Sequence, residues 1–327
     1  MKYRRGEDRE ELLADVAQMY YEEGLTQADI SQSIGVTRSA VSRMLSEARK
    51  KGIVNIRINR PMRYDEELEI DLAKRFKLRR ARVLIWGEQG GYKELRERLG
   101  KVGGNLLLEI LAPDTIVGVA WGTTVSATID ALAIDDPVPV KVVQLVGVLG
   151  SSSHAYNANV LVERLASKMG GEGIYLYTPF IVENADTARS LLNTRQVRDA
   201  LAIGKKCDVA LLGIGTTESK YSSLFKGGHL SKRMLEKLRK QGAVGDVSAH
   251  HFDIQGDVPD TDFHERLVGI ALEDLLAIPI RIGVAGNRAK ARAILGALRG
   301  GYVNVLITDN GTAQEILAID SRGGGPE

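Results

Sequence analysis

A chain of 327 residues, 44% apolar and 26% charged, has the make-up of a globular protein with room for about two domains. No stretch approaches the roughly 20 uninterrupted apolar residues of a membrane span, and the N-terminus MKYRRGEDREE lacks the apolar core of a signal peptide, so no membrane partner and a cytoplasmic location are expected. The net charge of +2 is nearly neutral and by itself says little about partners, and a single cysteine, Cys207, excludes an intrachain disulfide and a cysteine-cluster zinc site; its setting in CDVALLGIG reads as a small buried apolar residue.

In chain order, disorder is expected only at the ends, Met1 to Arg9 and the tail SRGGGPE. EELLADVAQMYYEE (10–23) spaces Leu13, Val16, Ala17 and Tyr20 as one face of a helix that stops at Gly24. Thr26 is placed to cap a second, short helix, TQADISQSI, and Gly35-Val36 makes a tight turn. Thr37 is placed to cap a third, TRSAVSRMLSEARKKG, ending at Gly52, with Val41, Met44 or Leu45, and Ala48 inward.

Two short helices joined at a glycine turn, the second basic on its outside, read as a helix-turn-helix, with a plain solvated amphipathic helix as the alternative. From Thr37 to Arg60 seven basic residues, Arg57 and Arg60 among them, stand against one acid, Glu47. A basic block in a nearly neutral chain fits a confined polyanion contact. Arg38, Ser39, Ser42 and Arg43 are placed for base edges or phosphates and Arg49 and Lys50 for phosphates; Gln27 and Thr37 complete the candidate DNA-binding set. GIVNIRINR, with Ile53, Ile56 and Ile58, reads as a short strand or wing before Pro61.

From DEELEIDLAKRFKL (65–78) onward, short apolar runs alternate with amphipathic segments. ARVLIWG, DTIVGVAWG, VKVVQLVG, GIYLYTP, DVALLGIG, RIGVAG and VNVLITD read as strands, and TTVSATIDAL, NANVLVERLASKMG and RAKARAILGALRG as helices. This is the pattern of an α/β domain with a mostly parallel, Rossmann-like sheet covered on both faces. Ligands of such sheets sit at the carboxyl ends of the strands. Three small-residue turns, WGTTVSA, LGIGTTES and TDNGTAQ, are expected there, where backbone N–H groups and hydroxyls cradle an anion, although glycine and threonine also simply cap helices. Lys290 either adds a positive charge to that cradle or lies exposed on its helix.

An enzyme needs a proton-transfer group in the same pocket. His250, His251 and Asp253 are the obvious candidates, but adjacent residues on a strand point to opposite faces, which favours structural or surface roles. Asp257, Asp260, Asp262 and His264 lack the spacing of a calcium loop, and no Gly-x-Gly-x-x-Gly follows a strand. No catalytic residue, metal or cofactor is expected.

Four blocks in order, YYEEGLTQADISQSIGVTRSAVSRMLSEARKKGIVNIRI, GVAWGTTVSA, GAVGDVSAHHFDIQG and VAGNRAKARAILGALRGGYVNVLITD, resemble the SorC family of sugar-binding bacterial transcriptional regulators. The resemblance runs from about Leu12 to Leu317. It implies a helix-turn-helix domain (1–60) joined to an effector and oligomerisation domain (61–327) that resembles sugar-phosphate isomerases. Operator DNA, a phosphorylated sugar effector and a homodimer or homotetramer are the implied partners. By position, Gly122, Thr123 and Thr124 take the phosphate with Lys290, and Asp246 takes hydroxyls. Asn157 stands where members often carry glutamine, and LVGVLGSSS departs from the usual Asn-Gly-Gly turn. The alternative is a sugar-phosphate isomerase or deaminase-like enzyme with an appended helical domain.

Overall fold

The structure is a computed structural model that describes residues 7–55, 61–87, 91–134, 136–150 and 155–323. The chain divides into two compact units, Met1–Pro61 and Met62–Glu327.

The first unit holds α1 (Glu7–Tyr21), α2 (Gln27–Ile34) and α3 (Arg38–Lys50). Leu13, Val16, Ile30, Val41, Leu45 and Ala48 form its core, each no more than 3% exposed. Thr26 and Asp29 form a reciprocal capping box at the start of α2, Gly35 closes it in the left-handed conformation, and the Thr37 hydroxyl accepts from Ala40 N–H to start α3. The expected N-terminal disorder ends sooner than Arg9: α1 begins at Glu7, and the Arg9 guanidinium donates to both oxygens of Glu47 at 3.2 and 2.6 Å. Of the expected wing, residues 52–55 form no strand; Ile53 and Val54 pack on the helical core instead. Ile56, Arg57, Ile58 and Arg60 lie outside the described residues.

The second unit opens with α4 (Glu66–Phe76), β1 (Arg80–Leu84), α5 (Tyr92–Ile110), β2 (Ile116–Val119), α6 (Thr123–Asp130), β3 (Lys141–Gln144), α7 (Ala158–Met169) and β4 (Glu172–Ile174). There follow α8 (Ala185–Leu192), α9 (Arg195–Gly204), β5 (Val209–Gly213), β6 (Gly215–Thr216), α10 (Ser223–Lys226), α11 (Lys232–Lys240), β7 (Gly245–Val247) and β8 (His250–Phe252). The chain closes with α12 (Asp262–Glu265), α13 (Leu272–Ala277), β9 (Ile280–Val284), a 3-10 turn at Arg288–Lys290, α14 (Ala291–Arg299), β10 (Val305–Asp309) and α15 (Asn310–Ser321).

Seven strands form one parallel sheet in the order β1-β10-β9-β5-β2-β3-β4. Alternate side chains serve opposite faces. On β5, Val209 and Leu211 join the core under α5, α6 and α7, while Ala210 and Leu212 join the core under α9 and α14. Cys207 is buried, and desolvation pushes its thiol up to about 12, so it behaves as an inert apolar residue. A separate antiparallel sheet, β6-β7-β8, was not expected from the sequence.

One packing detail positions the site. α5 presents Gly100 and Gly103 to α6: a Cβ on Gly100 would lie 2.5 Å from the backbone carbonyl of Ala127, and one on Gly103 would lie 2.8 Å from the Thr128 hydroxyl. Only glycine lets the two helices come this close.

Candidate functional site

All seven strands run the same way, so their carboxyl ends share one edge. β2 and β5 are neighbours there, yet the chain leaves β2 toward β3 and leaves β5 toward β9. Diverging connections open a crevice, the usual ligand position in such sheets. A narrow cleft lies at this point. Trp121–Thr124 come to it from the end of β2, Gly213–Gly215 from the end of β5, Asp246 and Ser248 from the small sheet, and Lys290 from the turn after β9.

Each wall has a chemical character. α6 starts at Gly122 with no side-chain cap among the described residues, which leaves its first N–H groups available there, and Thr123 and Thr124 line the cleft beside them. An uncapped helix start with flanking hydroxyls and a nearby cation is matched to an anion. Lys290 is buried at 5% exposure, which removes the exposed-lysine alternative, and its Nζ donates to Ile214 O at 2.9 Å.

Asp246 faces this lysine. Burial pushes its carboxyl up to about 6; the charge of Lys290 and the N–H of Ala249 act against that rise. Its close seat depends on Gly215, the register partner across the β6–β7 pair, where a Cβ would fall 2.0 Å from Asp246 Oδ1. The cleft therefore holds an anion cradle and an acceptor for hydroxyl groups side by side.

Three sequence expectations are corrected or refined. TDNGTAQ is not part of the cleft: β10 is separated from β5 by β9, and the α15 start is already capped by Asp309, which accepts from Thr312 N–H, the Thr312 hydroxyl and Asn287 N–H. In LGIGTTES the glycines line the cleft, while the Thr216 and Thr217 hydroxyls donate to Val244 O and Ala243 O of the small-sheet region. Asn157 lies outside the lining, its amide clamping Leu149 through two 2.7 Å bonds, one to the N–H and one to the C=O. Residues 151–153 of LVGVLGSSS lie outside the described residues.

The histidines have structural partners. His250 Nε2 donates to Ile270 O at 3.0 Å, and His264 Nε2 accepts from the backbone N–H of His251. Burial pushes His251 down to about 3 and His264 down to about 4, so both are neutral near pH 7. Among the described residues no cluster of three or more His, Cys, Asp or Glu is arranged for a metal ion.

In the first unit, Arg38, Ser39, Ser42, Arg43, Arg49 and Lys50 are exposed on α3, Thr37 at its cap is exposed, and Gln27 at the start of α2 is half-buried. The one acid of the basic stretch is engaged by Arg9, and Lys51 pairs with Glu10. Among the described residues, no carboxylate lies within ion-pair distance of Arg38, Arg43, Arg49 or Lys50. That leaves a cationic face on α3 suited to a polyanion.

Comparison with known proteins identifies both units. The family model "Putative sugar-binding domain" matches residues 60–318, and that of sigma-70 region 4 matches residues 11–51. The transcriptional regulator LsrR of Escherichia coli K12 is 33% identical over 319 residues, 96% of each chain. The deoxyribonucleoside regulator of Bacillus subtilis is 31% identical over 314 residues, 95% of this chain and 98% of its own. The full-length sorbitol operon regulator SorC of Klebsiella pneumoniae superposes with a TM-score of 0.73 at 29% identity, covering 94% of this chain and 98% of its own.

The chain belongs to the SorC family of sugar-binding transcriptional regulators. Its relatives are transcriptional regulators and not enzymes, which sets aside the isomerase or deaminase alternative. As a SorC-family regulator it carries a DNA-binding helix-turn-helix unit and a sugar-binding α/β unit. Among the described residues, no helix is long and apolar enough to cross a membrane.

Two residues of this regulator's cleft carry no signal in the sequence. Trp121 stands next to Gly122, but as the apolar end of a strand it looks like core. Ser248 was hidden because Ser248-Ala249 forms the hairpin turn between β7 and β8 with φ of 51° and 67°, left-handed values for which neither residue is the usual choice. A Ser-Ala pair carries no local signal for that turn.

Proposed function

We propose that residues 1–60 bind operator DNA and that residues 61–327 sense a phosphorylated sugar and assemble the oligomer, in the cytoplasm. α3 enters the major groove, with Arg38, Ser39, Ser42 and Arg43 toward base edges and Arg49, Lys50, Gln27 and Thr37 toward phosphates. In the cleft, Gly122, Thr123, Thr124 and Lys290 hold the phosphate and Asp246 accepts from sugar hydroxyls. The observation that carries this reading is the uncapped α6 start beside a buried lysine and a buried carboxyl in one crevice.

The deoxyribonucleoside and sorbitol regulators support a carbohydrate or nucleoside catabolic operon as the target. The dimer or tetramer contact is assigned to α4, where Ile70 is 66% exposed. An effector shifts DNA binding only if it prefers one arrangement of the assembly, so differential affinity is the operative quantity. The test is a thermal-shift screen of pentose and hexose phosphates against the wild-type chain, Thr124→Val and Lys290→Ala. A shift in the wild type that both variants lose supports the cleft; a shift they retain locates the ligand elsewhere.

A further inference from the structure

In folded proteins, buried polar atoms almost always have a partner, and an unpartnered one marks a place where something is missing. Two such atoms belong to the walls of the sugar-phosphate cleft: Trp121 Nε1 and Ser248 Oγ, on residues 7% and 6% exposed. The two charged groups of the wall have partners within the chain. Lys290 Nζ has Ile214 O, and Asp246 has the N–H of Ala249.

Trp121 is fixed in place: its ring meets Phe180 edge-on at 6.2 Å, and Gly122 N–H is held by Tyr156 O. Ser248 is placed by a turn with two consecutive left-handed residues, a backbone arrangement that costs stability without glycine and that recurs at ligand clamps. An indole N–H only donates, and a hydroxyl donates or accepts. Ser248 lies on the small-sheet wall, and Trp121 immediately precedes the α6 start, its indole reaching the cleft by its side chain and not by the helix N–H groups.

We propose that Trp121 and Ser248 are specificity-determining contacts of the cleft, reading an oxygen on the carbon skeleton of the phosphorylated ligand and not the phosphate itself. This rests on the reading of the cleft as a sugar-phosphate site. The ligand class is thereby narrowed to phosphorylated polyols and sugars that carry a carbonyl or hydroxyl oxygen away from the phosphate. A simple phosphate ester of an alkane would satisfy α6 and Lys290 but leave both atoms unpartnered, and a site built for a hydrogen bond discriminates strongly against a ligand that cannot make it.

The test measures affinities of the full chain for inorganic phosphate and for a series of pentose and hexose phosphates, in the wild type, Trp121→Phe, Ser248→Ala and, as a control, Thr308→Val. Thr308 carries an unpartnered buried hydroxyl on β10, away from the cleft. Each cleft variant is expected to weaken the best sugar phosphate by about tenfold, the worth of one hydrogen bond, while phosphate affinity stays within about twofold. Ser248→Ala is also expected to leave the unliganded melting temperature unchanged or raised while the ligand-induced shift falls, a pair of signs that a purely structural role does not give. Thr308→Val leaves both affinities unchanged.

Sugar-phosphate affinity unaltered in both cleft variants overturns the inference, and so does a parallel loss of inorganic phosphate. A wild type that binds phosphate but no sugar phosphate overturns it and leaves the anion cradle standing. A wild type that binds neither removes the cleft reading itself, and the inference with it.

Discussion

The Asp246 carboxyl, ordinarily near 3.8 and pushed up to about 6 by burial, titrates inside the experimentally accessible range. Between those values the folded chain holds more protons at this position than the unfolded chain. Its contribution to stability is therefore full below about pH 4 and lost as pH rises through about 6. Asp246→Asn is expected to remove that part of the pH slope in denaturation curves. Sugar hydroxyls donate to the ionised form, so ligand affinity is expected to rise over the same interval. The phosphate's own second ionisation, near 6, adds a rise of the same sign, and the difference between wild type and Asp246→Asn isolates the carboxylate. Identical pH profiles of affinity would contradict its role. On α3, Arg43→Ala is expected to cost about 1 to 3 kcal/mol of specific DNA affinity if the guanidinium makes a bidentate base contact. An unchanged operator titration removes that assignment. At this scale, Thr123 and Thr124 stand out in the sequence because they follow a glycine at a strand end, whereas Asp246 is reached only through the family resemblance, and without it Lys290 stays open between the cradle and an exposed helix face. Trp121 and Ser248 do not stand out, because an apolar ring and a turn without glycine give no local sign of what they face.

Elements were more legible than side chains. Each of the seven apolar runs contributes to one strand of the parallel sheet, since β-branched runs between helical patterns have few other arrangements, although GIYLYTP gives only Gly173 and Ile174 to β4. The caps at Thr26 and Thr37 formed where the sequence placed them, because N-cap chemistry is local. Thr37→Ala is expected to lower the stability of the first unit by about 1 kcal/mol, read from its own unfolding transition. The small sheet β6-β7-β8 has little sequence signal because its strands are two or three residues long, β6 pairs with a distant β7, and the β7–β8 hairpin turns at Ser248-Ala249 without a usual turn residue. The contact between α5 and α6 has little signal too, since glycines at 100 and 103 in a helical pattern read locally as a weakness. Gly100→Val is expected to force α6 away from α5, lowering both stability and phosphate affinity; affinity retained at wild-type strength would mean that the α6 start does not hold the anion.

At the scale of the molecule, the two units have separate cores and separate chemistry, a cationic helix face in one and a polar cleft in the other. Regulation requires that occupancy of the cleft alter DNA affinity, and by linkage DNA must alter effector affinity by the same factor. An assembly held by the α4 face is expected to lose mass in sedimentation when Ile70 is replaced by aspartate; unchanged mass places the contact elsewhere. The most direct measurement is a salt-controlled titration of DNA from upstream of the protein's own operon, with and without a sugar phosphate that stabilises the chain. The proposed regulation predicts a change in operator affinity of tenfold or more on adding the sugar phosphate, absent in Thr124→Val. Equal operator affinity with the cleft filled and empty would contradict it.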